Sequence, residues 1–96
     1  MDDRELIIAY YDLYQNLLTD KQRLYFEDYY YNDFSLSEIA ENYEVSRNAV
    51  FDLIKKACNN LYDYENKLHL YDKILKIKKV DLSSEELDVI LSILED

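Results

Sequence analysis

Apolar residues recur along this chain at the three- and four-residue spacing of α-helices, and this periodicity continues throughout. Such spacing places the apolar side chains on one face of a helix, which is then buried against its neighbours. A first stripe consists of Leu6, Tyr10, Leu13 and Leu17. A last stripe, near the C-terminus, consists of Leu87, Ile90, Leu91 and Leu94. The pattern predicts an all-α fold.

Side-chain caps mark where helices begin. In a capping box a Ser or Thr hydroxyl accepts one of the free N–H groups at the helix start, and a Glu or Gln three residues later accepts the N–H of the cap. The chain has this spacing in Thr19 with Gln22, Ser35 with Glu38, and Ser83 with Glu86. Ser46 predicts a further helix start. With the N-terminal stripe, these starts predict five helices in a single domain over residues 1–96, the last an acidic helix over about residues 84–95.

One apolar ladder is much longer than the others and alternates four- and three-residue steps. It consists of Val50, Ile54, Ala57, Leu61, Tyr64, Leu68, Tyr71 and Leu75. The ladder predicts one long helix over about residues 46–79, with Asn59-Asn60 as the expected place for a bend. Its heptad spacing is typical of helix-on-helix packing, within the chain or against a second copy. A helix of about 45 Å outreaches so small a domain, which favours a homodimer with its interface at Leu61, Tyr64, Leu68, Tyr71 and Leu75.

Composition supports the helical prediction. The 96 residues include no glycine and no proline, although average usage would give about 11 of the two together. Their absence disfavours tight β-hairpins and Gly-rich phosphate loops. The single cysteine, Cys58, excludes an intrachain disulfide and a cysteine-cluster zinc site, and we expect it to be half-buried. With no secretory signal at Met1-Asp2 and no apolar run of ~18 residues, we expect a cytoplasmic protein without a membrane span.

The net charge of −10 is unevenly distributed. Residues 57–79 alone are net basic, at +2, whereas residues 80–96 carry −6. The basic strip contains Lys67, Lys73, Lys76, Lys78 and Lys79. It could bind RNA or anionic lipid, or it could form a solvated helix face or pair with the acidic C-terminal segment.

The segment that carries function, if any does, is residues 35–56, SLSEIAENYEVSRNAVFDLIKK. A short helix, a turn at residues 43–45 and a capped helix from Ser46 give helix-turn-helix spacing. Such motifs place the start of the second helix in the major groove, where Arg reads guanine and Asn reads adenine. The predicted nucleic-acid-binding residues are Ser46, Arg47, Asn48, Phe51 and Lys55. One departure from the motif is Glu44, at the left-handed turn position where Gly is usual.

Acidic residues oppose an interpretation as a DNA-binding motif. Asp52 lies within the predicted recognition helix, and Glu41 and Glu44 lie beside it, whereas a groove reader normally presents a basic face. DNA binding and a protein-interaction scaffold built on the same fold therefore both stay open, as does RNA binding. The 11 tyrosines could stack on RNA bases, but most lie on helical stripes and are expected in the core or a dimer interface. Tyr30 and Tyr31 have the fewest constraints.

Residues 18–56, including Leu36-Ser37-Glu38-Ile39-Ala40, resemble region 4 of bacterial sigma factors. Nearly the whole chain resembles the YlxM family of helix-turn-helix proteins, most distinctively in VSRNAVF (45–51) and YENKLHL (64–70). That resemblance implies an all-helical homodimer with a regulatory part in the signal recognition particle pathway, where its GTPase or its RNA would be the partner. The alternative is a DNA-binding transcription regulator.

Catalysis has almost no support in the sequence. His69 is the single histidine and has no Cys or Ser partner at motif spacing. The acidic residues show no metal-ligand spacing. We expect a protein that is not an enzyme, with no cofactor and no metal site.

Overall fold

A computed structural model describes residues 3–95, apart from the side chain of Glu95; Met1, Asp2 and Asp96 lie outside the described residues. Within that range the chain forms six α-helices and a short 3₁₀ helix at Gln15–Leu17. The α-helices are α1 (Arg4–Tyr14), α2 (Asp20–Tyr30), α3 (Leu36–Tyr43), α4 (Arg47–Leu68), α5 (Leu70–Lys78) and α6 (Ser84–Glu95). The all-α prediction is confirmed, but the predicted number of five helices is wrong by one.

The predicted caps are present. Thr19 and Ser35 each accept a backbone N–H three residues on, from Gln22 and Glu38, at 3.1 and 3.0 Å. The side chains of Gln22 and Glu38 in turn accept a hydrogen bond from the backbone N–H of the cap residue, which completes both capping boxes. Ser83 and Glu86 make the same reciprocal pair before α6. These local bonds satisfy helix-start donors in a chain that has no glycine or proline to punctuate it.

Helix α4 is the central element of the fold. Helices α1, α2 and α3 all pack against it, because its apolar ladder is buried from Val50 to Leu61. The core between them also takes in the fully buried Ile7, Phe26 and Ile39. The heptad seam is therefore divided, and its N-terminal half packs within the chain.

Aromatic side chains fill much of this core. The rings of Tyr11 and Phe26 stack with centroids 4.3 Å apart, and Tyr11 donates a hydrogen bond to the carboxylate of Glu27. The expectation of few constraints on Tyr30 is wrong, because Tyr30 is buried and its carbonyl accepts a hydrogen bond from Arg4. Cys58, expected to be half-buried, has no exposed surface.

The ladder over residues 46–79 does not form one continuous helix. Helix α4 ends at Leu68, and His69 adopts a left-handed conformation with φ 56° and ψ 28° before α5 begins. At Asn59-Asn60, the expected place for a bend, α4 continues without interruption, and the helix ends only at Leu68. The break at His69 turns the chain so that α5 contacts α1.

A buried carboxylate holds this break together. Glu65 lies in the last turn of α4 and is almost fully buried. Its oxygens accept hydrogen bonds from the N–H groups of Tyr71 and Asp72, at 2.9 and 3.2 Å, which cap the start of α5. They also accept the Tyr14 hydroxyl at 2.6 Å, and the Leu70 N–H donates to that hydroxyl at 3.1 Å. Helices α1, α4 and α5 thus meet at one charge-assisted network.

Helix α6 packs on α5, and its apolar face is less buried than the spacing of its apolar residues predicted. Its apolar residues Leu87, Ile90, Leu91 and Leu94 are only partly buried. Val89 and Ile93, on the other side, are 60% and 70% exposed. Helix α6 therefore presents apolar surface to solvent.

Candidate nucleic-acid interface

The turn between α3 and α4 is closed by backbone hydrogen bonds. The Val45 N–H donates to the Ala40 carbonyl at 3.0 Å, and the Glu44 N–H donates to the Glu41 carbonyl at 3.3 Å. This is the Schellman pattern of a helix C-terminus. Glu44 has φ 56° and ψ 45°, as its position at the left-handed turn residue predicts. The turn keeps helix-turn-helix geometry although a non-glycine residue there costs about 1 kcal/mol.

Packing fixes the angle between the two helices. Ile39 and Val50 are fully buried, Ala40 is buried where the helices approach each other, and Val45 is half-buried. Helices α3 and α4 are in direct contact. The start of α4 is therefore held on a rigid base rather than on a loop.

The first turn of α4 projects polar side chains into solvent. Ser46 caps the helix by accepting the Ala49 N–H at 3.0 Å. Arg47 and Asn48 follow, and both are exposed. Neither side chain makes a hydrogen bond or ion pair within residues 3–95. Their donors are thus available to an external partner.

Further along α4, Phe51 is half-buried and Lys55 is exposed. The Lys55 ammonium lies 5.9 Å from the centroid of the Phe51 ring, at cation–π distance. The five predicted residues therefore lie on one continuous stretch, the N-cap and first turns of α4. Ser46 is engaged as the cap, so what it can still offer a phosphate is its hydroxyl proton.

Two further residues share this exposed surface and are outside the five predicted to bind nucleic acid. Asp52, which the sequence places within the recognition helix, and Lys56 are both exposed. Helical spacing accounts for their position, since Asp52 follows Asn48 by four residues and precedes Lys56 by four. With Glu41 and Glu44 also exposed, the surface is mixed in charge rather than basic.

The residues predicted for a dimer interface differ in how far they are buried within their own chain. Leu61 is fully buried in its own chain, so it has no surface to offer a second copy and the expectation for it is corrected. The Tyr64 hydroxyl donates to the Leu17 carbonyl at 3.1 Å, and the Tyr71 ring meets that of Tyr10 edge-on at 5.4 Å. Leu68 and Leu75 remain 50% and 39% exposed.

The described part of the chain has neither a metal-binding cluster nor a helix that could span a membrane. Residues 3–95 contain no group of three or more His, Cys, Asp or Glu side chains arranged to hold a metal ion. No helix in that range has the length and apolar character needed to cross a bilayer.

Comparison with known proteins points to the same motif. The family described as "UPF0122: Putative helix-turn-helix protein, YlxM / p13 like" matches residues 1–90. A UPF0122 protein of Anoxybacillus flavithermus is 56% identical over 70 residues, which cover 73% of this chain and 64% of that protein. The match thus spans less than two thirds of that relative's length.

Two other relatives share more of their length with this chain. A UPF0122 protein of Fusobacterium nucleatum is 49% identical over 76 residues, covering 77% of this chain and 74% of that protein. One from Streptococcus pneumoniae serotype 19F is 45% identical over 96 residues, covering 88% and 87%. From the match over residues 1–90 and these identities, the chain belongs to the UPF0122 family of YlxM/p13-like helix-turn-helix proteins.

Proposed function

We propose that this protein is a regulatory protein that binds double-stranded DNA through its helix-turn-helix. The start of α4 enters the major groove, where Arg47 recognises a guanine and Asn48 an adenine. The observation that carries this proposal concerns the three arginines of the chain. Arg4 pairs with Asp33 and Arg23 with Asp20, whereas Arg47 is exposed and makes no ion pair within residues 3–95.

Phosphate contacts would come from residues that flank the base-reading pair. The Ser46 hydroxyl lies at the N-terminus of α4, where the helix dipole favours an anion. Lys55 and Lys56 are exposed two turns further on. These groups are few, and the chain carries a net charge of −10. The proposal therefore expects a small number of neutralised phosphates and binding that weakens at moderate salt.

The test is a gel shift on genomic DNA fragments at low salt with Arg47→Ala. Loss of a base contact costs about 1–3 kcal/mol, so the specific shift should weaken by tenfold or more. Arg23→Ala is the matched control, because it removes the same charge from an exposed ion pair on α2. It should leave both the fold and the shift unchanged.

The absence of any shift by the wild-type protein at low salt would contradict DNA binding. An equal loss of affinity in Arg47→Ala and Arg23→Ala would contradict base recognition by Arg47, because it would show that only the total charge matters.

A second candidate function is a regulatory part in the signal recognition particle pathway, through contact with its RNA or its GTPase. The observation that favours it is the position of the basic strip. Lys73, Lys78 and Lys79 are exposed on and just after α5, away from the acidic residues beside the helix-turn-helix. A pull-down with the purified chain should then recover the particle's RNA or GTPase. If the pull-down recovers neither the RNA nor the GTPase and the gel shift is positive, DNA binding stands and the second candidate function is contradicted.

We also propose that two copies associate through the apolar surface left open at the C-terminal end of the seam. Leu68 is 50% exposed there, and a dimeric helix-turn-helix can contact two half-sites on DNA. Leu68→Asp should convert a dimer to a monomer in light scattering at tens of micromolar. Leu24→Asp is the matched control, since Leu24 is 53% exposed on α2. A wild-type mass of one chain would contradict the proposal.

A further inference from the structure

The chain contains three aspartates that are followed four residues later by a lysine on the same helix. This spacing brings the two side chains together on a helix surface and favours an ion pair. Asp63 pairs with Lys67 at 2.9 Å, and Asp72 pairs with Lys76 at 3.0 Å. The third pair, Asp52 and Lys56 in α4, forms no ion pair, although both residues are exposed.

Asp52 is therefore the one of these three aspartates whose carboxylate is unpaired. It makes no hydrogen bond or ion pair with any residue in the range 3–95. The neighbouring Lys55 lies over the Phe51 ring at 5.9 Å. A free carboxylate thus stands on the same helix as the free Arg47 and Asn48 side chains, one turn beyond Asn48.

On a surface that faces DNA, an unpaired carboxylate has two physical consequences. It is repelled by phosphates, which weakens binding to any duplex on which it finds no donor. It can also accept a hydrogen bond from the exocyclic amino group of cytosine, the base that Asp and Glu side chains recognise in the major groove. The repulsion lowers affinity for every duplex, because phosphates are present at every sequence. The hydrogen bond to cytosine offsets this loss only at sites that supply the donor, so the two together discriminate between sequences.

We propose that Asp52 is a specificity-determining residue of the helix-turn-helix, selecting sites that present a cytosine amino group to the second turn of α4. This inference rests on the proposed DNA binding and adds a base preference to it. Arg47 and Asn48 supply attraction to guanine and adenine. Asp52 weakens binding through its negative charge, and a hydrogen bond from a cytosine amino group offsets that loss.

The experiment compares the wild-type protein with Asp52→Ala by selection of bound duplexes from a random-sequence pool, followed by affinity measurements on the selected and unselected pools. One mismatched base pair in a site lowers affinity by roughly five- to 150-fold. Asp52→Ala should therefore lose about tenfold of the discrimination between the two pools, by binding the unselected pool more tightly. The preference for cytosine at one position should disappear from its selected sequences.

Asp88→Ala is the matched control, because Asp88 is an exposed aspartate on α6, outside the helix-turn-helix. It removes the same charge and should retain the wild-type discrimination and cytosine preference. Circular dichroism of both variants checks that the helices are intact.

The possible outcomes distinguish the role of Asp52 from DNA binding itself. Wild-type binding with an unchanged cytosine preference in Asp52→Ala would overturn the role of Asp52 and leave DNA binding standing. Equal tightening of Asp52→Ala and Asp88→Ala on the unselected pool, with the base preference retained, would also overturn it. If neither the wild-type protein nor Asp52→Ala binds duplex DNA, the proposed function falls, and this inference falls with it.

Discussion

Three non-glycine residues in the described range have positive φ and lie between consecutive helices, Asp33, Glu44 and His69, and the turns at the last two are stabilised in different ways. Glu44, between α3 and α4, and His69, between α4 and α5, both have φ 56°. At Glu44 the backbone closes the turn itself, through the bonds from Val45 to Ala40 and from Glu44 to Glu41. At His69 the backbone makes one such bond, to the Glu65 carbonyl, and the buried Glu65 side chain supplies the rest.

The difference shows what each turn depends on. The turn at Glu44 is local, since its hydrogen bonds and the Ser46 cap all come from residues 40–49. The turn at His69 also uses a distant residue, since Tyr14, 51 positions before Glu65 in the chain, donates to the Glu65 carboxylate. We therefore expect the helix-turn-helix to tolerate changes elsewhere, and the α4–α5 junction to be sensitive to the packing of α1.

The largest effect is expected at the buried carboxylate. Glu65→Ala leaves the N–H groups of Tyr71 and Asp72 and the hydroxyl of Tyr14 without their acceptor. Since a buried donor left unpaired costs about 1–3 kcal/mol, the free energy of unfolding should fall by about 3 kcal/mol in a urea titration. Glu41→Ala, at an exposed position beside the local turn, should change it by less than about 0.5 kcal/mol. Equal losses of unfolding free energy in the two variants would contradict the claim that the turn at His69 depends on a buried side chain and the turn at Glu44 does not.

A smaller effect is expected from the partner on α1. Tyr14→Phe removes the 2.6 Å hydrogen bond to Glu65 and the acceptor of the Leu70 N–H, so it should cost about 1–2 kcal/mol. Tyr43→Phe is the control, because the Tyr43 hydroxyl bonds to Asp28 at the surface. It should cost about 0.5 kcal/mol or less. A larger loss in Tyr43→Phe would contradict the account of the junction.

Alkaline pH tests the same contact without a mutation at Glu65. Burial, and then the hydrogen bond to Glu65, raise the pKa of Tyr14 from 10.0 to about 12. Because the folded state holds this proton more tightly, its contribution to stability is complete below pH 10 and is lost as the pH rises through 12. The free energy of unfolding should fall over this range, and less steeply in Tyr14→Phe. Equal slopes would show that Tyr14 contributes nothing to the dependence.

The smallest effects are expected from relief of the left-handed residues themselves. Glu44→Gly and His69→Gly should each stabilise the protein by about 0.5–1 kcal/mol, because glycine adopts positive φ without the Cβ clash. Asn42→Gly, inside α3, should destabilise it by a similar amount. Thermal unfolding followed by circular dichroism measures all three variants. Destabilisation by Glu44→Gly would mean that the glutamate side chain supports the turn.

The same contrast explains how far the sequence could predict the structure. Helix starts were predictable because each cap lies within three residues of the N–H group that it satisfies, as at Thr19 and Ser35. The left-handed conformation of Glu44 was predictable because Glu44 lies in the turn between the helix capped by Ser35 and the helix capped by Ser46. The break at His69 was not, because no known cap spacing marks Glu65 as the acceptor for Tyr71 and Asp72, and its third donor, Tyr14, reaches it only when α1 packs against the rest of the chain. The apolar ladder continues through His69 and gave no sign of the break.

The candidate site was predictable as a set of positions and not as a set of contacts. The spacing from Ser46 to Lys55 identified the exposed start of α4. Whether a charged side chain in that stretch is paired or free depends on side-chain packing that periodicity does not report. Asp52 and Lys56 have the same spacing as Asp63 and Lys67, and only the second pair is joined.

The proposed contact between the start of α4 and duplex DNA can be observed residue by residue, through backbone amide shifts in a titration with DNA. Low-salt ¹H–¹⁵N spectra, recorded while a selected duplex is added, should show the largest changes at residues 46–56. Amides of α5 and α6 should change little. Shifts concentrated on residues 70–79, or no shifts at saturating duplex, would contradict the proposed contact.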